Sequence, residues 1–350
     1  MSLPPVEVPQ GAIRFNTDSQ KLEFYAQDQW WEMVIDTPAL GTSSDTGAGA
    51  RGVFAGLGAS PVFSNVIDYV NISSAGNALD FGDLSAAKSG PYGCSSSTRG
   101  LFSGGFNPTR LNVIDYITIS STGDVQDFGD LIYARQAHSS CSNSTRGLFA
   151  GGFNPQTTPA ATTYNAIDYA TIASTGNAQD FGDLSRLVIA PAAVSSSTRG
   201  VFTICPIQFV PSFSRLNIIE FVTISTLGNS QDFGDLTYGR QIAGNFTAFN
   251  PIRGIFGSNA TPLSLDYITI ATLGNAVNFG NLSLTRRDSS GASSSTRGVF
   301  GGGGEPLPSS VQLNTIDYVT IMTQGNAVDF GDLTTARGTL AACSNAHGGL

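Results

Sequence analysis

A four-residue acidic motif, Asp-Phe-Gly-Asp, recurs along the chain and is the first candidate for chemistry. Its phenylalanines stand at positions 81, 128, 181, 233, 279 and 330. Two carboxylates so close together can bind Ca²⁺, which takes oxygen ligands. In the fifth copy, however, both acids are asparagines, Asn278 and Asn281, which keep the hydrogen-bonding geometry and lose the charge. We therefore interpret the motif as a source of turn and strand-end hydrogen bonds, and a Ca²⁺ site remains the alternative.

The first three residues of the motif also match the magnesium-binding triplet of protein kinases. A kinase needs in addition a Gly-rich loop after a strand, a strand lysine and a catalytic loop, and these patterns do not occur in the chain. The repeated triplet therefore does not predict phosphoryl transfer. The run Gly301–Gly304 likewise lacks the Lys-Ser/Thr pair of a phosphate-binding loop.

A second recurring set combines an acid that precedes an aromatic residue with the arginine of a Thr-Arg-Gly triplet. The acids are Asp68, Asp115, Asp168, Glu220, Asp266 and Asp317. The arginines are Arg99, Arg146, Arg199 and Arg297, with Arg51 and Arg253 in related triplets. A carboxylate on a strand buried on both faces needs a partner, and a forked guanidinium suits it. We predict a repeated structural Asp–Arg pair, within or between repeats.

Other catalytic groups are scarce. The two histidines, His138 and His347, are too few for a His-rich metal site or for copper chemistry. Carboxylates alone can hydrolyse glycosidic bonds, and Glu305 is the clearest acid outside the repeated motifs. Because the recurring acids are assigned to structure, the sequence favours a protein that is not an enzyme and that uses no metal or other cofactor.

The cysteines stand at a repeated position. Five residues before the repeat arginine or its equivalent, the chain has Cys94, Cys141, Val194, Ala248, Ala292 and Cys343. We expect this position to take a small apolar side chain near a crowded axis. The 4 cysteines are too widely spaced for a disulfide framework or a zinc site built from Cys-x-x-Cys pairs.

Charge and hydropathy argue against two classes of partner. The net charge is −9, and lysine and arginine are scattered without runs, so a surface that follows a nucleic-acid backbone is not expected. An apolar stretch of roughly 18 residues, the length of a membrane span, is not present. The start "MSLPPVEVPQ" lacks the charged and apolar regions of a signal peptide. We expect no nucleic-acid partner and no membrane insertion.

The residues above belong to a repeat of about 50 residues. The aromatic residue after the acid stands at 69, 116, 169, 221, 267 and 318, and the motif phenylalanine always follows 12 residues later. Each unit reads as four short strands, here called A to D, separated by Gly, Asn, Ser and Thr turns. Four strands in such a repeat are typical of a β-propeller blade.

The phase of the repeat predicts how the ring closes. The array begins with a B strand at Arg51 and finishes with an A strand at about 338–345. Placing the last strand beside the first completes six blades and removes the unpaired edges of an open array. We therefore predict a propeller over 51–350, preceded by a flexible linker over 37–50 and by a small β-meander over 1–36.

The blade sequence resembles that of Kelch proteins. In "ARQAHSSCSNSTRGLFAGG", a small-residue strand leads to an apolar strand that ends in a glycine pair, and "NAIDY" and a D strand follow. The pair is complete at Gly104–Gly105, Gly151–Gly152 and Gly301–Gly302, and phenylalanine replaces the tryptophan that Kelch repeats carry in strand D. The fold class is therefore expected to be an all-β, six-bladed, Kelch-like β-propeller.

The segment "IRFNTDSQKLEFYAQDQWWEM" resembles a meander found in bacteriophage tail-fibre and other virion proteins. The repeats are also similar to those of structural proteins in phages of cyanobacteria and other aquatic hosts. The resemblance implies a virion protein at the particle surface, either a tail-fibre or receptor-binding component or, alternatively, a capsid-decoration or head-fibre protein. It further implies that the N-terminal segment contacts other virion proteins or forms a homo-oligomer, with a trimer favoured.

A binding face is expected where the repeat varies in length. The B–C connections absorb nearly all the variation, whereas the C–D turn is constant, and variable loops on a rigid scaffold are typical of binding surfaces. Aromatic and basic residues in these loops suit a host surface polysaccharide or receptor: Phe63, Phe106, Arg110, Phe153, Tyr164, Phe209, Phe213 and Arg215. The alternative, in which the aromatic residues fold back as loop cores, has equal weight.

Overall fold

The computed structural model of the protein describes residues 9, 11–16, 21–32, 50–56, 63–157, 162–204, 216–239, 246–257, 264–306, 309 and 311–350. The chain divides into two compact units, Met1–Ser43 and Ser44–Leu350. The described residues form strands, turns and irregular segments, with no helix among them.

The first unit contains a three-stranded antiparallel sheet. Its strands are β1 (Ile13–Asn16), β2 (Lys21–Ala26) and β3 (Gln29–Glu32), in the order β1-β2-β3. The Arg14 guanidinium lies 4.1 Å from the Trp30 ring centroid, and its Nε donates to Glu23 at 2.8 Å. Ile13 and Phe15, on the opposite side of β1, are 62% and 59% exposed. A sheet this small with an apolar face in solvent is marginal by itself.

The second unit contains six four-stranded antiparallel sheets, the blades. Blade 1 has β4 (Arg51–Ala55), β5 (Ser64–Asn71) and β6 (Leu79–Lys88). Blade 2 has β7 (Tyr92–Ser95), β8 (Arg99–Ser103), β9 (Val113–Thr118) and β10 (Gln126–Asp130). Blade 3 has β11 (Ser139–Ser142), β12 (Arg146–Ala150), β15 (Ala166–Thr171) and β16 (Gln179–Asp183), and its B–C loop contains β13 (Phe153–Asn154) and β14 (Thr162–Thr163).

The remaining blades follow the same order of strands. Blade 4 has β17 (Ala193–Ser195), β18 (Arg199–Ile204), β19 (Ile218–Thr223) and β20 (Gln231–Asp235). Blade 5 has β21 (Thr247–Phe249), β22 (Arg253–Phe256), β23 (Ser264–Thr269) and β24 (Val277–Asn281). Blade 6 has β25 (Ser290–Ser293), β26 (Arg297–Gly301), β27 (Thr315–Thr320) and β28 (Val328–Asp332), and β29 (Ala341–Ser344) follows it.

The last strand completes the first blade. Strand β29 pairs antiparallel with β4, with Cys343 opposite Val53. The A strands of neighbouring blades contact one another around the ring, and β29 contacts both β25 of blade 6 and β7 of blade 2. The prediction of a six-bladed β-propeller closed by a C-terminal strand is therefore confirmed.

The glycine of each Thr-Arg-Gly triplet makes room for a side chain of the preceding blade. A Cβ atom on Gly147 would lie 2.8 Å from Cys94 Sγ, and one on Gly254 would lie 2.5 Å from a methyl carbon of Val194. The same contact recurs at every blade boundary. Cys94, Cys141 and Cys343 are buried and free, as a packing role at this position requires.

The Asp-Phe-Gly-Asp motif also joins each blade to the next. Asp183 donates its backbone N–H to Asn229 Oδ1 at 3.0 Å across the blade boundary. A Cβ atom on Gly182 would lie 2.4 Å from the carbonyl oxygen of Gly228, so this position requires glycine. All six copies repeat this backbone N–H contact, including the asparagine copy in blade 5; the acceptor is the carboxylate of Asp124 in the first copy and an asparagine side chain in the other five. These contacts explain why the motif is kept at constant spacing.

The repeat arginines form a further ring of contacts. The Arg146 guanidinium lies 4.8 Å from the ring centroid of Tyr169 in its own blade. Its Nη1 donates at 2.9 Å to the carbonyl oxygen of Ile224 in the next blade. The other five repeat arginines also stack on an aromatic ring of strand C and donate to the next blade.

The predicted pairing of the strand-C acids with these arginines is wrong. The acids pair instead with a base that follows strand D of the preceding blade. Arg135 Nη2, which is fully buried, donates to Asp168 Oδ2 at 2.9 Å, and Arg135 also donates to the carbonyl oxygen of Phe149. Equivalent buried pairs are Lys88–Asp115 at 2.7 Å, Arg286–Asp317 at 3.0 Å and Arg337–Asp68 at 2.5 Å. Four of the six acids therefore meet a buried cation, but the cation belongs to another position of the repeat.

Blade 4 departs from this arrangement. Val188 stands where the other blades have a base, and the acid is the longer Glu220. Glu220 accepts hydrogen bonds from the backbone N–H of Ser185 at 3.1 Å and from Ser230 Oγ at 2.5 Å. Serine hydroxyls thus satisfy a carboxylate that elsewhere meets a guanidinium or an ammonium.

Candidate binding face

The B–C loops of blades 2 and 3 are fixed to the frame in the same way. Both begin with Gly-Gly-Phe-Asn-Pro. Phe106 pairs with Ser89 and Phe153 with Gln136, each through two backbone hydrogen bonds of 2.9 to 3.1 Å to the preceding D–A connection. The side-chain amide of Asn154 donates to the carbonyl oxygen of Ala134 at 2.9 Å, and the equivalent asparagine of blade 2 makes the same bond. The base of each loop is therefore held by backbone hydrogen bonds.

This mounting brings together a group of side chains that we call the Arg110 cluster, consisting of Phe63, Phe106, Arg110 and Phe153. The Phe63 and Phe106 rings meet edge to face with centroids 5.7 Å apart. The Arg110 guanidinium lies 4.4 Å from the centroid of Phe106 and 5.6 Å from that of Phe153. All four side chains are partly exposed. The cluster thus joins the B–C loops of three consecutive blades.

The backbone of Arg110 links two of these loops directly. Its N–H donates to Gln156 Oε1 in the B–C loop of blade 3 at 3.1 Å. The side chain is less well satisfied, because the buried Nε atom has no hydrogen-bond partner in the described part of the chain. Burial lowers the pKa of Arg110 below that of a free arginine side chain. The positive charge of Arg110 therefore contacts aromatic rings and is not balanced by a carboxylate or carbonyl of the described residues.

Two tyrosines extend the aromatic surface on blade 3. The rings of Tyr133 and Tyr164 are stacked, with centroids 4.8 Å apart and an angle of 20° between their planes. Tyr133 is 42% exposed and its neighbour Ile132 is 41% exposed. Burial raises the pKa of Tyr164, so its hydroxyl is protonated at neutral pH. The Tyr164 backbone N–H donates to the carbonyl oxygen of Gly152, at the base of the loop that carries Phe153.

The structure brings three of the predicted ligand-binding residues into contact and places a fourth in one of the same loops. Phe106, Arg110 and Phe153 are in contact, and Tyr164 lies in the same loop as Phe153. The predicted residues Phe209, Phe213 and Arg215 lie outside the described residues.

Sequence reasoning missed Tyr133 and Gln156. Tyr133 was overlooked because it lies in a D–A connection, and D–A connections meet the B–C loops only in the folded ring. The duplicated Gly-Gly-Phe-Asn-Pro stretch was an available signal, since it marks two loops that begin alike.

The two histidines lie in the interior. His347 Nδ1 accepts the Gly349 N–H at 3.1 Å, and Nε2 donates to the carbonyl oxygen of Ser95 at 2.9 Å. Burial lowers the pKa of His347 to about 4, so the ring is neutral at pH 7. His138 Nε2 lies 2.9 Å from Ser103 Oγ, and burial lowers the pKa of His138 as well.

Other candidate sites are limited in the described residues. A cavity of about 20 Å³ on the axis, with room for about one water molecule, is lined by strand-A residues and His347. No group of three or more His, Cys, Asp or Glu is placed to hold a metal ion in the described ranges. Glu305 accepts a hydrogen bond from Ser309 Oγ at 2.6 Å. Where the structure describes the chain, it contains no helix able to cross a membrane.

Comparison with known proteins adds no family to this picture. No protein-family model matches the chain, and no curated protein sequence matches it.

Proposed function

We propose that the chain is a structural protein of a bacteriophage virion, most directly a tail-fibre or receptor-binding component. In this proposal the propeller is displayed on the particle surface without a catalytic role, and its B–C face contacts a glycan or protein of the host surface. The proposal joins the sequence resemblance of the N-terminal segment and the repeats to the geometry of one face of the ring.

The observation that carries the proposal is the Arg110 cluster. Aromatic rings offer apolar faces to the C–H groups of sugar rings, and rigid aromatic side chains contribute much contact area at low entropic cost. The cluster is partly exposed although its loops are tied to the frame by backbone hydrogen bonds. A surface fixed before the ligand arrives loses little conformational entropy on binding.

The N-terminal sheet supports the expected attachment role. Ile13 and Phe15 present an apolar surface to solvent on a sheet whose stability is marginal by itself. Contact with another virion protein, or with copies of the same chain in a trimer, would cover this surface.

The alternative function is a capsid-decoration or head-fibre protein with an architectural role. The ring contacts favour it, because hydrogen bonds, stacked arginines and buried ion pairs cross the blade boundaries and suit a rigid spacer.

Immunogold electron microscopy of intact phage particles that carry this chain separates the two functions. Antibody against the full chain is expected to label the tail, in copy numbers that are multiples of three or six. Label spread over the head in tens to hundreds of copies would support the capsid-decoration alternative. Particles without label would contradict a virion location.

A further inference from the structure

The arginines of the propeller differ in how their charge is satisfied. Arg135, Arg286 and Arg337 meet buried carboxylates, and the repeat arginines donate to backbone carbonyls of the next blade. Arg287 donates to Asp288 at 2.7 Å. Arg110 stacks between two phenylalanines, and among the described residues its guanidinium has no carboxylate or carbonyl acceptor.

The terminal nitrogens of Arg110, Nη1 and Nη2, reach solvent and have no acceptor among the described residues, whereas Nε is buried. A guanidinium that stacks on aromatic rings uses its faces, whereas its N–H groups point outward in the plane of the group. These N–H groups form a fork that matches the two oxygens of a carboxylate. Since Nη1 and Nη2 have no acceptor among the described residues, a carboxylate that bound them would gain a charge-assisted contact without breaking an internal one.

The charge near Arg110 and the net charge of the chain favour a carboxylate over other anions. The Arg110 cluster contains one cation, which matches the single charge of a carboxylate better than the charge of a phosphate or a densely sulfated chain. The chain as a whole carries a net charge of −9, which disfavours polymers with several charges on each sugar, such as densely sulfated chains, more than it disfavours uronates with at most one. The rings of Phe106 and Phe153 lie against the guanidinium, and Phe63 packs edge to face on Phe106, which provides the apolar surface that a sugar ring needs.

Resting on the function proposed above, we infer that the B–C face binds an acidic polysaccharide, with Arg110 holding the carboxylate of a uronic-acid residue and the neighbouring aromatic rings packing against the sugar.

The test uses the full chain and three uronate polymers, polygalacturonate, alginate and hyaluronate. Each is compared with its carboxyl-reduced form, in which –CH₂OH replaces the carboxylate. We expect at least one polymer to bind about tenfold or more tightly than its reduced form. Arg110→Gln is expected to remove that preference, and Arg110→Lys to restore it in part, since lysine keeps the charge and loses the fork.

Arg186→Gln is the matched control. Arg186 is exposed and makes no ring contact with a described residue, so its loss removes the same charge from the protein without touching the cluster. This variant is expected to bind within about twofold of the wild type, and unchanged melting temperatures show that all variants are folded.

Several results would overturn the inference. They are equal binding of the acidic and reduced forms, binding that Arg110→Gln leaves unchanged, or binding to none of the three polymers. Polyglutamate that bound as tightly and with the same dependence on Arg110 would replace the saccharide with an acidic peptide. If Phe106→Ala abolished attachment to bacterial cells while Arg110→Gln did not, the proposed function would stand and this inference would fail.

Discussion

The C–D turns and the B–C loops of the propeller are built on opposite principles. Every C–D turn has the same length and makes the same two contacts with strand D of the preceding blade. In blade 4, the turn residue Asn229 accepts a hydrogen bond from the Asp183 N–H, and Gly228 lies against Gly182. The B–C loops differ in length, and the side chains of the Arg110 cluster, which lie in the described parts of these loops, are only partly buried. The difference teaches that the recurring residues hold the ring together, whereas the residues free to vary are those that can meet a ligand.

Charge is treated differently in the two regions as well. At the blade boundaries each repeat arginine has a defined carbonyl acceptor, and four strand-C acids have a buried cation. In the Arg110 cluster the cation faces two aromatic rings, and its guanidinium has no carboxylate or carbonyl acceptor among the described residues. Each of these boundary cations therefore meets an acceptor within the chain, whereas the guanidinium of Arg110 meets none among the described residues.

The largest expected effect is on a blade boundary. Asp168→Ala should lower the free energy of unfolding by about 3 to 5 kcal/mol, because Arg135 would remain buried without its carboxylate. Urea denaturation measures the loss. Glu220→Gln in blade 4 is the control and should cost about 1 to 3 kcal/mol, since Val188 provides no cation there. Equal losses in the two variants would show that the ion pair is not what holds this boundary.

Acidic pH should lower the free energy of unfolding because His347 is buried in its neutral form. Burial lowers the pKa of His347 from 6.5 to about 4, so the unfolded chain takes up the proton first as the pH falls. The stabilisation is present above pH 6.5 and is lost progressively between pH 6.5 and 4, by about 3 kcal/mol. His347→Gln should remove this part of the pH dependence, measured as unfolding free energies at pH 7 and pH 4. The same pH dependence in both proteins would contradict the assignment.

A matched pair of glycines isolates the close approach between blades. Gly182 and Gly228 have the same φ angle of 148°, but only a Cβ atom on Gly182 would collide with the neighbouring blade, 2.4 Å from a carbonyl oxygen. Gly182→Ala should therefore cost about 1 to 3 kcal/mol more than Gly228→Ala in urea denaturation. Equal costs would mean that backbone conformation alone requires these glycines.

The smallest effect on stability is expected on the B–C face. Arg110→Gln should change the free energy of unfolding by about 1 kcal/mol or less, the usual contribution of a partly exposed cation–π contact. A loss as large as that of Asp168→Ala in the same denaturation series would identify the cluster as a loop core and remove the contrast between the two regions.

The propeller fold could be predicted from the sequence because the same strand pattern recurs six times along the chain. The constant spacing between Tyr169 and Phe181 and their equivalents identified strands C and D, and the phase of the repeat placed β29 beside β4. The strands and the closing strand could be predicted because they follow from the spacing of residues along the chain.

Contacts between blades were harder to predict. The base that pairs with Asp168 occupies a position that is lysine, arginine or valine in different repeats. The Thr-Arg-Gly arginine is present in nearly every repeat, and the constant residue was therefore predicted as the partner. Which of two cations reaches the acid depends on how one blade packs on the next, and the spacing along the chain does not contain that geometry. For the same reason Tyr133, which reaches Tyr164 from another loop, was missed.

The central claim is that the B–C face binds the host surface while the C–D face only holds the ring. The most direct measurement is the binding of the labelled full chain to bacterial cells, screened over cyanobacterial and other aquatic strains. A Phe106→Ala/Phe153→Ala variant is compared with a Leu227→Ala/Leu273→Ala variant, which alters leucines 58% and 57% exposed in the C–D turns. We predict that the first variant binds about tenfold or more weakly and that the second matches the wild type. Binding that depended on the leucines and not on the phenylalanines would contradict the account.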